Sequence, residues 1–231
     1  MFSEVFLAMT AREMEEFLPK HPAYMACHFS PYSAGLSNLP QYLPNGSILL
    51  LDDSMPVQGH DPIIAANQLN TLAEQFSVRA ILLDFQKEKT PESEDMVSSL
   101  LGAVSCPVAA TQQYALLFHC PVFLSPCPVN VALEQHLAPW RKEELYLELA
   151  KCAMQFSVTE KGCTCDLIPD WDAGSLQLQD ERLHCHYDVK ADSEKAVFTL
   201  QRTIEDVALL AEDAHRLGVQ ATVGLYQELC K

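Results

Sequence analysis

Four carboxylates stand where apolar runs give way to polar sequence. Asp52 and Asp53 follow Ile48-Leu49-Leu50-Leu51, Asp84 follows Ala80-Ile81-Leu82-Leu83, and Glu228 comes shortly after the last apolar run, Ala221 to Tyr226. Two carboxyls from this set, held at retaining or inverting separation, could do the acid and base work that cleaves a glycosidic bond. His28, Gln112, Gln113 and Tyr114 occupy similar positions after other runs and could hydrogen-bond a ligand. Arg202 could hold a ligand carboxylate or pair with one of the aspartates. Carboxylates and amides also end strands for a plainer reason, because the loops beyond them are polar. Cys163-x-Cys165 and His184-x-His186 each put both side chains on one face of a strand. Two such pairs on adjacent strands would make a tetrahedral zinc set, but the order matches no recognised finger, and strand alternation produces such pairs by chance. No metal or organic cofactor is therefore expected. Neither a serine nucleophile elbow nor H-E-x-x-H is present.

These residues need elements to hold them, and most of the chain reads as short strands alternating with helices. Strands are expected over Ser3 to Met9, Ala23 to Phe29, Ser47 to Asp52, Val78 to Phe85, Val108 to Thr111, Val122 to Leu124 and Ala221 to Tyr226. Val78 to Phe85 is apolar in consecutive positions, as a strand covered on both faces must be. Helices start at recognisable caps. Thr10 with Glu13 forms a capping box, and Asp61-Pro62 and Thr90-Pro91 put a polar cap before a proline. Ile63, Leu69, Leu72, Ala73 and Phe76 follow at helical spacing, as do Met96, Val97, Leu100, Leu101 and Val104. Thr203 caps a last helix with Ile204, Val207, Leu210, Ala211, Ala214 and Leu217 inward, and Gly218 fits the left-handed stop. Ser30 to Gly46, rich in Pro, Ser, Asn and Gly, is a long loop.

From about Leu145 the texture changes. Turn signals at Glu160-Lys161-Gly162, Asp180-Glu181-Arg182 and Asp192-Ser193-Glu194 mark an antiparallel meander over residues 152–200, ending in a strand from Ala196 to Leu200. The expectation is a single compact α/β domain over residues 1–231, a (β/α)8 TIM-type barrel with an antiparallel insertion before its last unit. An open doubly wound sheet is the alternative. No glycine-rich phosphate loop follows any strand, which removes that alternative's usual marker.

Composition bounds the partners. With 15 Lys and Arg against 31 Asp and Glu in 231 residues, the net charge of −16 repels nucleic acid and anionic membrane surfaces. A neutral ligand such as a sugar is unaffected. No apolar run approaches the roughly 20 residues of a membrane span, and Met1-Phe2-Ser3-Glu4-Val5-Phe6 lacks the form of a secretory signal. The 9 cysteines have no framework spacing, so reduced thiols in a cytoplasmic protein are expected.

Phe76-Ser77-Val78-Arg79-Ala80-Ile81-Leu82-Leu83-Asp84-Phe85-Gln86 resembles the fourth-strand signature of family 18 glycoside hydrolases, the chitinase-like barrels, which reads roughly F-D-G-x-D-x-D-[FW]-E. Val197 to Leu200, the capped helix from Thr203 and Val223-Gly224-Leu225-Tyr226 resemble the end of those barrels. The resemblance touches about a third of the chain. It implies that Asp84 orients a substrate's N-acetyl group and that Gln86 stands where the general acid belongs. Arg79 and Leu82 replace earlier aspartates of the signature, and Tyr226 replaces the closing tryptophan, on which a sugar could still stack. An amide cannot deliver a proton to a leaving oxygen. The resemblance therefore implies a barrel that binds a glycan or related small ligand through Asp84, Gln86 and Tyr226, with hydrolysis lost or weak, and the strand-end positions add Asp53, Gln112, Tyr114, Arg202 and His28 as ligand-binding candidates. Two alternatives remain at this point: an active glycosidase using Asp52 or Glu228, and a structural or protein-interaction module whose mouth is filled.

Overall fold

The computed structural model describes residues 5–168 and 178–230. The chain opens with β1 (Val5–Met9), α1 (Ala11–Glu16), β2 (Pro22–Phe29) and β3 (Leu36–Ser37). It continues through β4 (Ile48–Asp52), α2 (Pro62–Phe76), β5 (Ala80–Asp84), α3 (Pro91–Ala103), β6 (Val108–Thr111) and α4 (Gln112–Phe118). Next come β7 (Val122–Leu124), α5 (Leu133–Leu137) and β8 (Leu145–Leu149). An antiparallel group follows, β9 (Ala153–Thr159), β10 (Gly162–Leu167), β11 (Leu178–Asp180), β12 (Cys185–Ala191) and β13 (Lys195–Gln201). Helix α6 (Ile204–Arg216), β14 (Ala221–Leu225) and α7 (Tyr226–Leu229) complete the described chain.

Strands β1, β2, β4, β5, β6, β7, β8 and β14 pair in parallel, and β1 closes the ring by pairing with both β14 and β2. The result is a closed eight-stranded α/β barrel of TIM type. Its interior is filled by Phe6, Ala8, Ala23, Ile48, Ala80, Leu82, Ala109, Phe123, Tyr146, Ala221 and Val223. Alanine is frequent on this face, so the barrel can close tightly around the few large side chains. The opposite faces of the same strands, including Leu49, Leu51, Ile81, Leu83, Leu145 and Leu147, pack beneath the helices.

Caps read from sequence form as hydrogen bonds. Thr10 accepts from Glu13 N and Glu13 accepts from Thr10 N, while Asp61 accepts from Ile63 N at 2.8 Å. Thr90 and Thr203 make reciprocal caps with Ser93 and Asp206. Gly218 takes φ +92° beyond α6. Ile63, expected inward, is 70% exposed, because it sits in the first turn of α2 where the helix has not yet met the sheet. Leu217 is likewise exposed at the far end of α6.

Two strands, β3 and β8, depart from the expected elements. No helix joins β2 to β4 in the Ser30 to Gly46 loop; β3 instead pairs antiparallel with His28 and Phe29. Residues Ser3 and Glu4 of the expected first strand lie outside the described residues. The seventh barrel strand is β8, where the sequence reading placed only a change of texture. Leu145, Leu147 and Leu149 face the helices while Tyr146 and Glu148 face inward, so the run lacks the unbroken apolar pattern of β4 and β5.

The antiparallel sheet, in the order β10-β9-β13-β12-β11, lies between β8 and α6, with turns at the three expected places. Residues 169–177 of the insertion lie outside the described residues. Strand order keeps the cysteine and histidine pairs apart: Cys163 and Cys165 on β10 are separated from β12 by β9 and β13, roughly 14 Å at ordinary strand spacing. The histidines instead meet α6. His184 Nε2 lies 2.7 Å from Asp213 Oδ2, and His186 Nδ1 lies 2.8 Å from Asp206 Oδ2. Among the described residues no helix is long and apolar enough to cross a membrane.

Candidate functional site

The carboxyl-terminal ends of the barrel strands form a mouth, and parallel register decides what meets there. His28 on β2 stands beside Asp52 on β4, and Asp52 stands beside Asp84 on β5. Across the ring, β14 pairs Val223 with Glu148 of β8. Asp52, Asp84 and Glu148 line one cavity of about 60 Å3 with Met25, Leu50 and Phe123 around them. Two wider depressions flank it. One, of about 240 Å3, is lined by Gln86, Gln112, Gln113, Thr111, Ser125 and aromatic Phe85 and Phe123. The other, of about 400 Å3, lies between the insertion and the barrel and includes Lys151, Gln201, Gln227 and Glu228.

Charge is concentrated at the centre. Burial, followed by the Asp84 and Glu228 charges, pushes the Glu148 carboxyl up to about 7. Asp84 is also raised, first by burial and then by Asp52 and Asp53, against the lowering effect of a hydrogen bond from Gln86. Gln86 Nε2 donates to Asp84 Oδ1 at 2.5 Å. The Asp84 charge acts on Glu148 and favours its protonated form. Asp52 accepts from the Ser54 amide at 2.8 Å and from the Ser54 hydroxyl.

Several sequence candidates have other work. Asp53 is buried, and its two oxygens accept from Gln86 N at 3.0 Å and Lys87 N at 2.9 Å. It ties down the loop after β5, facing backbone rather than open space. Tyr114 is fully buried beneath α3 with its hydroxyl on Ser93 Oγ at 2.8 Å. It belongs to the helix layer because it sits one turn into α4, on the side facing α3. Arg202 is 1% exposed and donates to the carbonyls of Cys127, Pro128 and Leu183, so its guanidinium braces the insertion instead of meeting an aspartate. Tyr226 is the first residue of α7 and stacks on Phe17, ring centroids 5.7 Å apart. Gln113 Nε2 donates to the carbonyls of Phe85 and Lys87 and supports the same loop as Asp53.

The structure thus brings together Asp52, Asp84, His28 and Gln86 by register and loop, with Gln112 and Glu228 on either flank. Glu148 was not singled out from sequence. A signal was there: a lone carboxylate at an inward position of an otherwise apolar five-residue strand.

No protein-family model matches this sequence, and no curated protein matches it. Solved structures do share its fold. A family 18 chitinase from Cycas revoluta, solved with (GlcNAc)3, aligns with a TM-score of 0.56 at 11% identity, covering 96% of this chain and 94% of that one. A glycoside hydrolase family 18 N-acetylglucosaminidase from Paenibacillus barengoltzii aligns at 0.53 with 8% identity over 96% and 94% of the two chains. The spore cortex-lytic enzyme SleL of Bacillus megaterium gives 0.51 with 8% identity over 96% of this chain and 70% of that one. At such identities the likeness is one of architecture: the chain has the fold of the chitinase-like barrels.

Proposed function

We propose that this chitinase-like barrel binds a glycan across its carboxyl-terminal mouth, with hydrolysis lost or nearly lost. The observation that carries this reading is the contact at the end of β5, where the Gln86 amide donates to Asp84 at 2.5 Å. The position that the family resemblance assigns to the acid holds a group that cannot protonate a leaving oxygen. The size of the mouth supports the same reading. A central cavity of about 60 Å3 is far below the roughly 300 Å3 at which small-molecule pockets begin. Sugar rings would rest in the flanking depressions, where Gln86, Gln112 and Gln227 offer amides to hydroxyl and N-acetyl groups. Only a small substituent would reach Asp84.

Titration calorimetry with an N-acetylglucosamine tetramer tests this. Binding that weakens about tenfold in Asp84→Ala, the loss of one charge-assisted hydrogen bond, with no product above background, is the expected result. Absence of binding to any member of a broad glycan panel would point to an interaction module instead. A second reading, an active glycosidase, has Glu148 behind it: a carboxyl raised to about 7 keeps much of its proton at neutral pH, as a general acid must. Were turnover well above background found, Glu148→Gln should abolish it.

A further inference from the structure

At the opposite end of the barrel from the mouth lies a cavity of different character. The amino-terminal ends of β1, β2, β5 and β14 and the last turns of α6 enclose about 280 Å3. Lys20, His21, Arg79 and His215 line it, and among the described residues no aspartate or glutamate does. In a chain with 31 acidic residues against 15 Lys and Arg, such a grouping runs against the composition. Phe6 and Val219 supply an apolar part of the wall.

Arg79 is held in place. It precedes β5 and crosses the base of the barrel to the opposite side, where its Nη2 donates to the Gln220 carbonyl at 2.7 Å. The guanidinium lies over the Phe6 ring, 5.5 Å from its centroid. Among the described residues no carboxylate lies within ion-pair distance of Lys20, Arg79 or His215. The end of α6 carries a partial negative charge beside His215, reduced where the amides of Leu217, Gly218 and Val219 bond to the carbonyls of Asp213, His215 and Ala214.

We infer that the base of the barrel is a binding site for a small phosphomonoester, independent of the mouth. Arg79 offers a planar fork whose position is already set, which suits two oxygens of a tetrahedral oxyanion. Lys20 adds a point charge for a third, and the imidazoles of His21 and His215 complete the polar wall. A volume of about 280 Å3 is at the small end of ligand pockets, enough for a phosphate carrying a sugar-sized remainder against Phe6 and Val219.

The test uses the whole protein with inorganic phosphate, glucose 6-phosphate and glucose as probes, followed by calorimetry and phosphorus NMR line width. Glucose 6-phosphate is expected to bind with Kd near or below ~1 mM at low ionic strength, inorganic phosphate more weakly, and glucose not at all. Arg79→Met should reduce affinity at least about tenfold. Since Arg79 also braces Gln220, Lys20→Gln provides a second variant at an exposed position, expected to weaken binding several-fold while the unfolding transition stays unchanged. Asp84→Ala at the mouth should leave this binding untouched. No line broadening by either phosphate at about ten times that Kd, or binding that survives both Arg79→Met and Lys20→Gln, would overturn the assignment.

Discussion

Replacing Gln86 by glutamate would set two carboxyls where an amide N–H now meets Asp84 at 2.5 Å. Arg79, the cation that could have opposed protonation, lies at the other end of β5 against Phe6 and Gln220. Asp84 therefore dominates the new group, and a like charge in contact raises a carboxyl's pKa. That is the direction a general acid needs. Turnover of N-acetylglucosamine oligomers by Gln86→Glu is nevertheless expected to stay well below ~1 per second. The cavity of about 60 Å3 between Asp84 and Glu148 does not admit the sugar ring that a reactive pose requires. Steady-state hydrolysis at ordinary enzyme rates would show instead that the site lacks a single side chain.

Loops after the strands, more than the strands themselves, decide what the mouth presents. The loop after β5 is held by Asp53 from below and by Gln113 from α4. Removing the Asp53 carboxylate leaves two backbone amides without their partner and a void beneath the loop. Asp53→Ala is expected to cost about 2–4 kcal/mol, from about 1–3 kcal/mol per unsatisfied group with partial relaxation, measured by urea unfolding. The same variant should lose glycan affinity, since Gln86 would no longer be positioned. Unchanged stability would mean that the two amides find other partners. The insertion is anchored in a comparable way. Asp206 caps α6 through Thr203 and also receives His186, so one buried carboxylate joins the helix start to the antiparallel sheet.

Across the whole molecule, the shift on Glu148 becomes a dependence of stability on pH. Its carboxyl titrates at about 7 in the folded protein against 4.5 for the free group, so the native state binds the extra proton between those values. Stability therefore falls as pH rises from about 4.5 through about 7, and levels off above. Asp84, raised in the same direction, adds to the decline. At 1.36 kcal/mol per unit, discounted for partial exposure, Glu148 contributes about 1–3 kcal/mol of that loss. Glu148→Gln should remove most of the slope and leave the protein more stable than the parent at pH 8, as denaturant melts at several pH values would show. A slope unchanged by the substitution would place the raised proton elsewhere.

Much of this architecture is local and so was legible from residues alone. Capping geometry depends on groups two or three residues apart, which is why Thr10, Asp61, Thr90 and Thr203 mark the helix starts. Two-sided burial leaves a continuous apolar run, which is why β4 and β5 stand out, and the three tight turns of the insertion carry their own residue types. Strand-end positions also brought Asp52 and Asp84 forward as candidates, and the register of β4 and β5 makes them neighbours. What sequence could not decide was direction and distance. Asp53 and Asp52 are adjacent in the chain, yet one is turned to backbone amides and the other to the cavity. Tyr114 and Arg202 are polar residues near strand ends whose side chains close in the core. Glu148 is far in sequence from Asp84 and becomes its neighbour only because the barrel closes. Its proton affinity arises from that closure, through burial and two charges, Asp84 on β5 and Glu228 on α7. Electrostatic coupling depends on separation in space, and only tertiary structure sets that separation.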